Sequence, residues 1–124
     1  MAKADPVLKD LKAAAKGLLF PSETDAPVEA FAWAGADGPP SEDAVRANAE
    51  VEADTAVEQM TLAELARTIP EEGRGSFLPL FAALAHHLNG VTVFKVGEVE
   101  VDVYVVGRTA DGRYAGVKTK VVET

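Results

Sequence analysis

The chain has 124 residues, enough for one domain with its own core, expected to span residues 1–124, and it contains no cysteine, which excludes a disulfide framework, a thiolate nucleophile and any cysteine-based metal site. A net charge of −8 repels phosphate backbones, so direct nucleic-acid binding is not expected. Such a balance suits either an acidic soluble protein or a protein whose partner has a basic surface, such as a groove that normally holds nucleic acid.

Lys3, Asp5, Lys9, Asp10, Lys12 and Lys16 interrupt the first twenty residues, which leaves no apolar run for a signal peptide or membrane span and makes a cytoplasmic location the expectation. Asp5-Pro6 is a helix start, followed by the apolar stripe Val7, Leu8, Leu11, Ala14, Ala15 and Leu18, with Gly17 placed to close the helix. Residues 20–27 (FPSETDAP) read as a loop, and Val28 to Trp33 as a strand apolar on both faces. After a Gly-Pro turn, Ser41 with Glu42 and Asp43 behind it predicts a short helix, and an acidic stretch follows. Thr55 to Met60 alternates weakly as a strand. The run Thr61-Leu62-Ala63-Glu64 has the capping-box pattern of a helix that stops before Pro70. Residues 71–75 (EEGRG) read as a loop leading to Ser76, a candidate cap for a helix that buries Phe77, Leu78, Phe81, Leu84, Ala85 and Leu88 and ends at Asn89-Gly90.

The last third carries the clearest period. Val99, Val101, Val103 and Val105 alternate with Glu98, Glu100, Asp102 and Tyr104, as a strand requires. A two-residue turn at Asp111-Gly112 would turn the apolar positions of the final strand outward. A three-residue loop with Gly112 in the left-handed position instead pairs Asp102 with Lys120, Tyr104 with Lys118, Val103 with Thr119 and Val105 with Val117, so that charge and hydrophobic pattern agree. With Val91 to Val96 as a preceding strand, the chain is expected to close its sheet with three antiparallel strands.

Few residues carry chemistry. His86 and His87 are adjacent on a helix, pointing about 100° apart, and cannot comfortably share one ion; a small hydrolase using His86 or His87 is the enzymatic alternative. Glu98, Glu100 and Asp102 line one strand face, but neighbours on that face lie about 7 Å apart, too far for one cation without loop ligands, and Asp102 is matched to a lysine. Gly73-Arg74-Gly75-Ser76 lacks the GxxxxGK spacing of a phosphate loop, and none of Ser22, Ser41 or Ser76 sits in a GxSxG elbow. Nothing here marks an enzyme, and no cofactor is expected. Glu23 is a carboxylate in a loop directly after an apolar helix end, where a scaffold can hold it outward.

Taken together, residues 17–23 (GLLFPSE), 28–33 (VEAFAW), 97–107 (GEVEVDVYVVG) and 115–124 (AGVKTKVVET) resemble the nuclease A inhibitor family; the resemblance covers both ends of the chain, while residues 35–90 match only in the order of elements. It implies an α+β fold, a three-layer α-β-α sandwich around a mixed, mainly antiparallel sheet like that of pathogenesis-related proteins. It also implies an inhibitor of magnesium-dependent, sugar-non-specific nucleases of the ββα-metal type, monomeric when free. The functional positions it carries over are Glu23, in the loop after Leu18-Leu19-Phe20, and Thr124, whose terminal carboxylate would approach the magnesium ion of the nuclease; Glu71 is a further candidate partner-binding residue. An α-carboxylate is fully charged at neutral pH and magnesium prefers oxygen ligands, so the chemistry is consistent. In one place the chain departs from the family pattern: a glutamine and a tryptophan are expected after Pro70, where Glu71 and Gly73 stand. Loss of an aromatic anchor can remove about 2 kcal/mol or more of binding energy. A non-inhibitory interaction module of the same fold is therefore the alternative.

Overall fold

The last third of the chain folds as its valines dictate. In the computed structural model, which describes residues 6–20, 26–35, 38–52 and 54–122, strands β6 (Glu100–Arg108) and β7 (Tyr114–Val122) form an antiparallel hairpin. Its register pairs Asp102 with Lys120, Val103 with Thr119, Tyr104 with Lys118 and Val105 with Val117, as the charge and hydrophobic pattern predicts. Gly112 adopts φ +86°, the left-handed conformation that the three-residue loop needs. The loop is closed by Thr109 N–H donating to the Arg113 carbonyl at 2.8 Å and Gly112 N–H donating to the Thr109 carbonyl at 3.0 Å. The Thr109 hydroxyl donates to Asp111, and Arg113 Nε donates to the same carboxylate at 3.0 Å. The threonine hydrogen bond, reinforced by Arg113, holds the Asp111 carboxyl below the usual aspartate range.

The rest of the sheet builds outward from this hairpin. Strand β5 (Asn89–Val96) pairs with β6, β4 (Val57–Met60) with β5, and β3 (Glu29–Trp33) with β7, giving the order β3-β7-β6-β5-β4. Every pairing between described strands is antiparallel, where the resemblance implied a mixed sheet. Two further strands, β1 (Leu19–Phe20) and β2 (Ala26–Pro27), make a small separate ladder within the segment read as a loop.

The helices follow their caps. Helix α1 (Pro6–Ala15) buries Leu11 and Ala15 and is followed by Gly17 at φ +79°. Ser41 caps α2 (Glu42–Ala49), its hydroxyl accepting from Ala44 N–H, and α3 (Leu62–Arg67) has both halves of the Thr61/Glu64 capping box.

The region after Pro70 differs from the sequence reading. It is not a loop but a short helical turn, α4 (Glu71–Arg74), running through a 3-10 turn at Gly75–Phe77 into α5 (Leu78–His87). Ser76 therefore lies inside continuous helical backbone, and α5 starts without a side-chain cap, with Pro79 in its first turn, where a missing N–H costs no helical bond. Phe77, Leu84 and Leu88 are buried as expected, but the face shifts at its margins: Leu80 is buried, whereas Leu78 is 62% exposed and Ala85 faces solvent. Asn89 and Gly90 begin β5 rather than end the helix.

Side chains of the sheet divide by parity into two apolar clusters. On one face Val93, Val101, Val103, Val105 and Val117 pack with Leu11 of α1, Leu65 of α3 and Leu80 and Leu84 of α5. On the other, Phe94, Val96, Tyr104, Val106 and Tyr114 pack with Val45 of α2 and with Phe31 and Trp33 of β3. Phe31 and Trp33 stack at 4.3 Å, and both rings approach Tyr104. Burial on both faces of one sheet is why β6 reads as an almost continuous apolar run after Asp102. No helix among the described residues is long and apolar enough to cross a membrane.

Candidate functional site

Three separate segments gather around β1. The first is the β1–β2 ladder, in which Leu19 pairs with Pro27 and Phe20 with Ala26, so that the two strands hold the chain on either side of residues 21–25. A hydrogen bond from Val28 N–H to the Leu18 carbonyl, 3.2 Å, extends the ladder. Phe20 is its anchor: the ring is buried and meets Phe77 edge to face at 6.1 Å.

The second segment is the end of β7. Thr119 Oγ1 donates to the Pro27 carbonyl at 3.1 Å and lies 3.4 Å from that of Ala26, stitching β2 to the last strand. Beyond Thr119 the strand stays paired with β6 through Val122, which faces Glu100, and Val121 is buried. Paired backbone and a buried valine oppose fraying at this end.

The third is α4. Gly73 N–H donates to the Pro70 carbonyl at 2.9 Å, and the Arg74 side chain folds back to donate to the carbonyls of Ile69, 2.8 Å, and Arg67, 3.2 Å. The arginine is thereby spent on backbone acceptors, and Glu71 and Glu72 remain exposed in the first turn. Neither glutamate forms an ion pair among the described residues.

Of the positions singled out in the sequence, Glu71 is thus the exposed first residue of α4, while Glu23 and Thr124 lie outside the described residues. Glu23 stands three residues before Ala26, and Thr124 five residues after Thr119. The sequence reading missed the anchoring residues themselves. Thr119 looked like one more alternating strand position, and nothing in the linear pattern joins it to Pro27.

Beside the end of β7, on the face opposite α1, is an open polar cleft of about 360 Å³ lined by Pro27, Glu29, Asp102, Tyr104, Lys118 and Lys120. Carboxylates and ammonium groups are balanced there. Burial raises the Tyr104 phenol above its usual pKa, and the Asp102 carboxylate adds to the rise.

Elsewhere, His87 Nε2 lies 2.7 Å from Asp10 Oδ2, linking α5 to α1, while His86 is exposed and meets the His87 ring edge to face. This pair joins two helices at their surface. Among the described residues no three of His, Cys, Asp or Glu gather closely enough to hold a metal ion. The described carboxylates of the three segments are Glu71 and Glu72, both on α4.

No curated protein sequence matches the chain. The family model described as nuclease A inhibitor-like protein matches residues 5–124, nearly the whole length and including the middle that the sequence motifs left open. The family is one of nuclease inhibitors and not of enzymes, which sets aside the hydrolase alternative for His86 and His87. With the match running through all three of these segments, the chain belongs to the nuclease A inhibitor-like family.

Proposed function

We propose that the protein inhibits a magnesium-dependent, sugar-non-specific nuclease of the ββα-metal type by filling its active site. Family membership carries the inhibitory reading, and the Thr119–Pro27 hydrogen bond supports the mechanism. Because that bond ties β2 to β7, the chain that precedes Ala26 and the chain that follows Val122 continue from two elements joined to each other. Glu23 supplies a carboxylate toward the basic groove, the terminal carboxylate of Thr124 meets the magnesium ion of the nuclease, and Glu71 contacts the rim. A short, paired strand loses little conformational entropy on docking, so its charge is delivered at low cost. The two apolar clusters support the three-layer α-β-α arrangement as the scaffold. Residues 1–124 act in this reading as one unit, monomeric when free and cytoplasmic.

The test is titration of the purified protein into a panel of such nucleases. Inhibition saturating near one-to-one, with no retardation of DNA by the protein alone, is the expected result. Full nuclease activity across the panel, or a DNA gel shift, contradicts it. The second reading, an interaction module without inhibitory activity, is favoured by Gly73, which leaves the α4 turn without an aromatic anchor.

A further inference from the structure

Gly73 opens a space as well as removing a side chain. A cleft of about 340 Å³ lies between β1 and α4, floored by Leu18, Leu19, Ile69 and Phe77 and edged by Glu72 and Gly73. A Cβ built at Gly73 meets only the Ile69 side chain, at 3.8 Å, so the glycine side of the cleft is bare backbone. Leu19 forms the opposite wall and is 54% exposed, a large apolar side chain held outward by the β1–β2 pairing.

The charge on the rim is one-sided. Glu71 and Glu72 stand in the first turn of α4, and Arg74, the nearest cation in the chain sequence, is committed to the carbonyls of Ile69 and Arg67. The cleft therefore combines an apolar floor long enough for an alkyl chain with the Glu72 carboxylate at its mouth. A neutral apolar side chain would leave that carboxylate desolvated and unpaired at an interface, and an acidic one would be repelled. A side chain with a methylene stem and a cationic head satisfies both halves.

We propose that the cleft between β1 and α4 receives a lysine or arginine side chain of the partner nuclease, its stem lying on Leu19, Ile69 and Phe77 and its charged head at Glu72. The proposal rests on the inhibitory reading for the identity of the partner, but the chemistry of the cleft belongs to this chain alone. It makes this part of the interface selective: a nuclease with a basic side chain at the matching place on its groove is favoured, where a bulky aromatic residue at position 73 would instead have filled the space from the inhibitor side.

The cleft is tested in two arms. In the first, n-butylguanidinium and its neutral counterpart n-butylurea are titrated into the isotopically labelled protein and followed by amide NMR. Saturable shifts centred on Leu19, Ile69, Gly73 and Phe77, about fivefold weaker for the urea, are expected, and they should disappear in Gly73→Leu, whose side chain occupies the cleft. Shifts scattered over the acidic surface, or unchanged in Gly73→Leu, overturn the proposal. In the second, the affinity for an inhibited nuclease is expected to fall about tenfold in Gly73→Leu and in Glu72→Gln, with unaltered melting temperatures. Unchanged affinity in both variants also overturns it. If the guanidinium maps to the cleft while no nuclease is inhibited, the inhibitory reading fails and the cation cleft stands; inhibition without any cleft effect is the reverse.

Discussion

Thr119 and Pro27 are 92 residues apart in the chain and share a hydrogen bond of 3.1 Å, by which the last strand holds the base of the β1–β2 ladder. Thr119→Val keeps the β-branched shape and removes the donor. The stability loss should be modest, about 1 kcal/mol, since one neutral hydrogen bond is at stake. Inhibition should weaken by about tenfold, because the two carboxylate-bearing segments lose their common anchor and must be ordered at docking. Melting temperature and inhibition constant, measured together, check this; an unaltered inhibition constant would separate the ladder from the inhibitory surface.

Glu23→Ala is expected to weaken binding by about 2 to 4 kcal/mol while leaving thermal stability nearly unchanged, since a carboxylate offered to a basic groove contributes to association far more than to folding. An affinity within about twofold of the parent protein, measured by calorimetry, would reduce Glu23 to an ordinary loop residue.

Adding two glycines after Thr124 moves the terminal carboxylate and puts a neutral peptide group where an anion would meet the magnesium ion. A loss of roughly 2 kcal/mol, or about thirtyfold, is expected. The same extension ahead of Met1 serves as the control and should have no effect. Equal inhibition by both extended proteins would show that the free end at Thr124 is incidental.

The phase of α5 has a direct stability test. Leu80 is 2% exposed and Leu78 is 62% exposed, so Leu80→Ala should cost about 2 to 5 kcal/mol and Leu78→Ala less than about 0.5 kcal/mol. Denaturant unfolding of the two variants measures the difference, and similar losses would mean that the helix packs in another rotation.

At the β6–β7 turn, the Asp111 carboxyl sits below its ordinary value of 3.8, chiefly through the Thr109 hydroxyl and then Arg113. A carboxyl lowered in the folded state binds protons more readily when unfolded. Its stabilising effect is therefore present above pH 3.8 and is lost as the pH falls from there through the folded-state value. Asp111→Asn should melt below the parent protein at pH 7, with the gap closing as the pH drops through that window. A gap that is constant with pH would show that the charge of Asp111 is not involved.

Several features were legible in the residues because their causes are local. The β6–β7 register follows from three patterns within about twenty-five residues: alternating valines, the opposed Asp102 and Lys120, and a glycine where the loop needs positive φ. Ser41 and the Thr61/Glu64 pair start their helices because each side chain bonds a backbone N–H three residues away. The family resemblance was carried by words at the two ends, and the family match extends over the middle.

What only the tertiary structure decided has non-local causes. Strands of two residues, such as β1 and β2, are too short to show a period, and they form because Phe20 is buried against Phe77 and Pro27 is held by Thr119. The α4 turn is helical although two glycines flank Arg74, since that side chain closes it onto Ile69 and Arg67 and the backbone runs on into α5. The face of α5 could not be chosen from Phe77-Leu78-Pro79-Leu80-Phe81, apolar at every position, because such a run fits several rotations about the helix axis. The sheet and the neighbouring helices choose among them, burying Leu80 and leaving Leu78 in solvent. The sequence alone thus determined the elements whose bonds close within a few residues, whereas the joining of the β1–β2 ladder to the last strand depends on a contact across almost the whole chain.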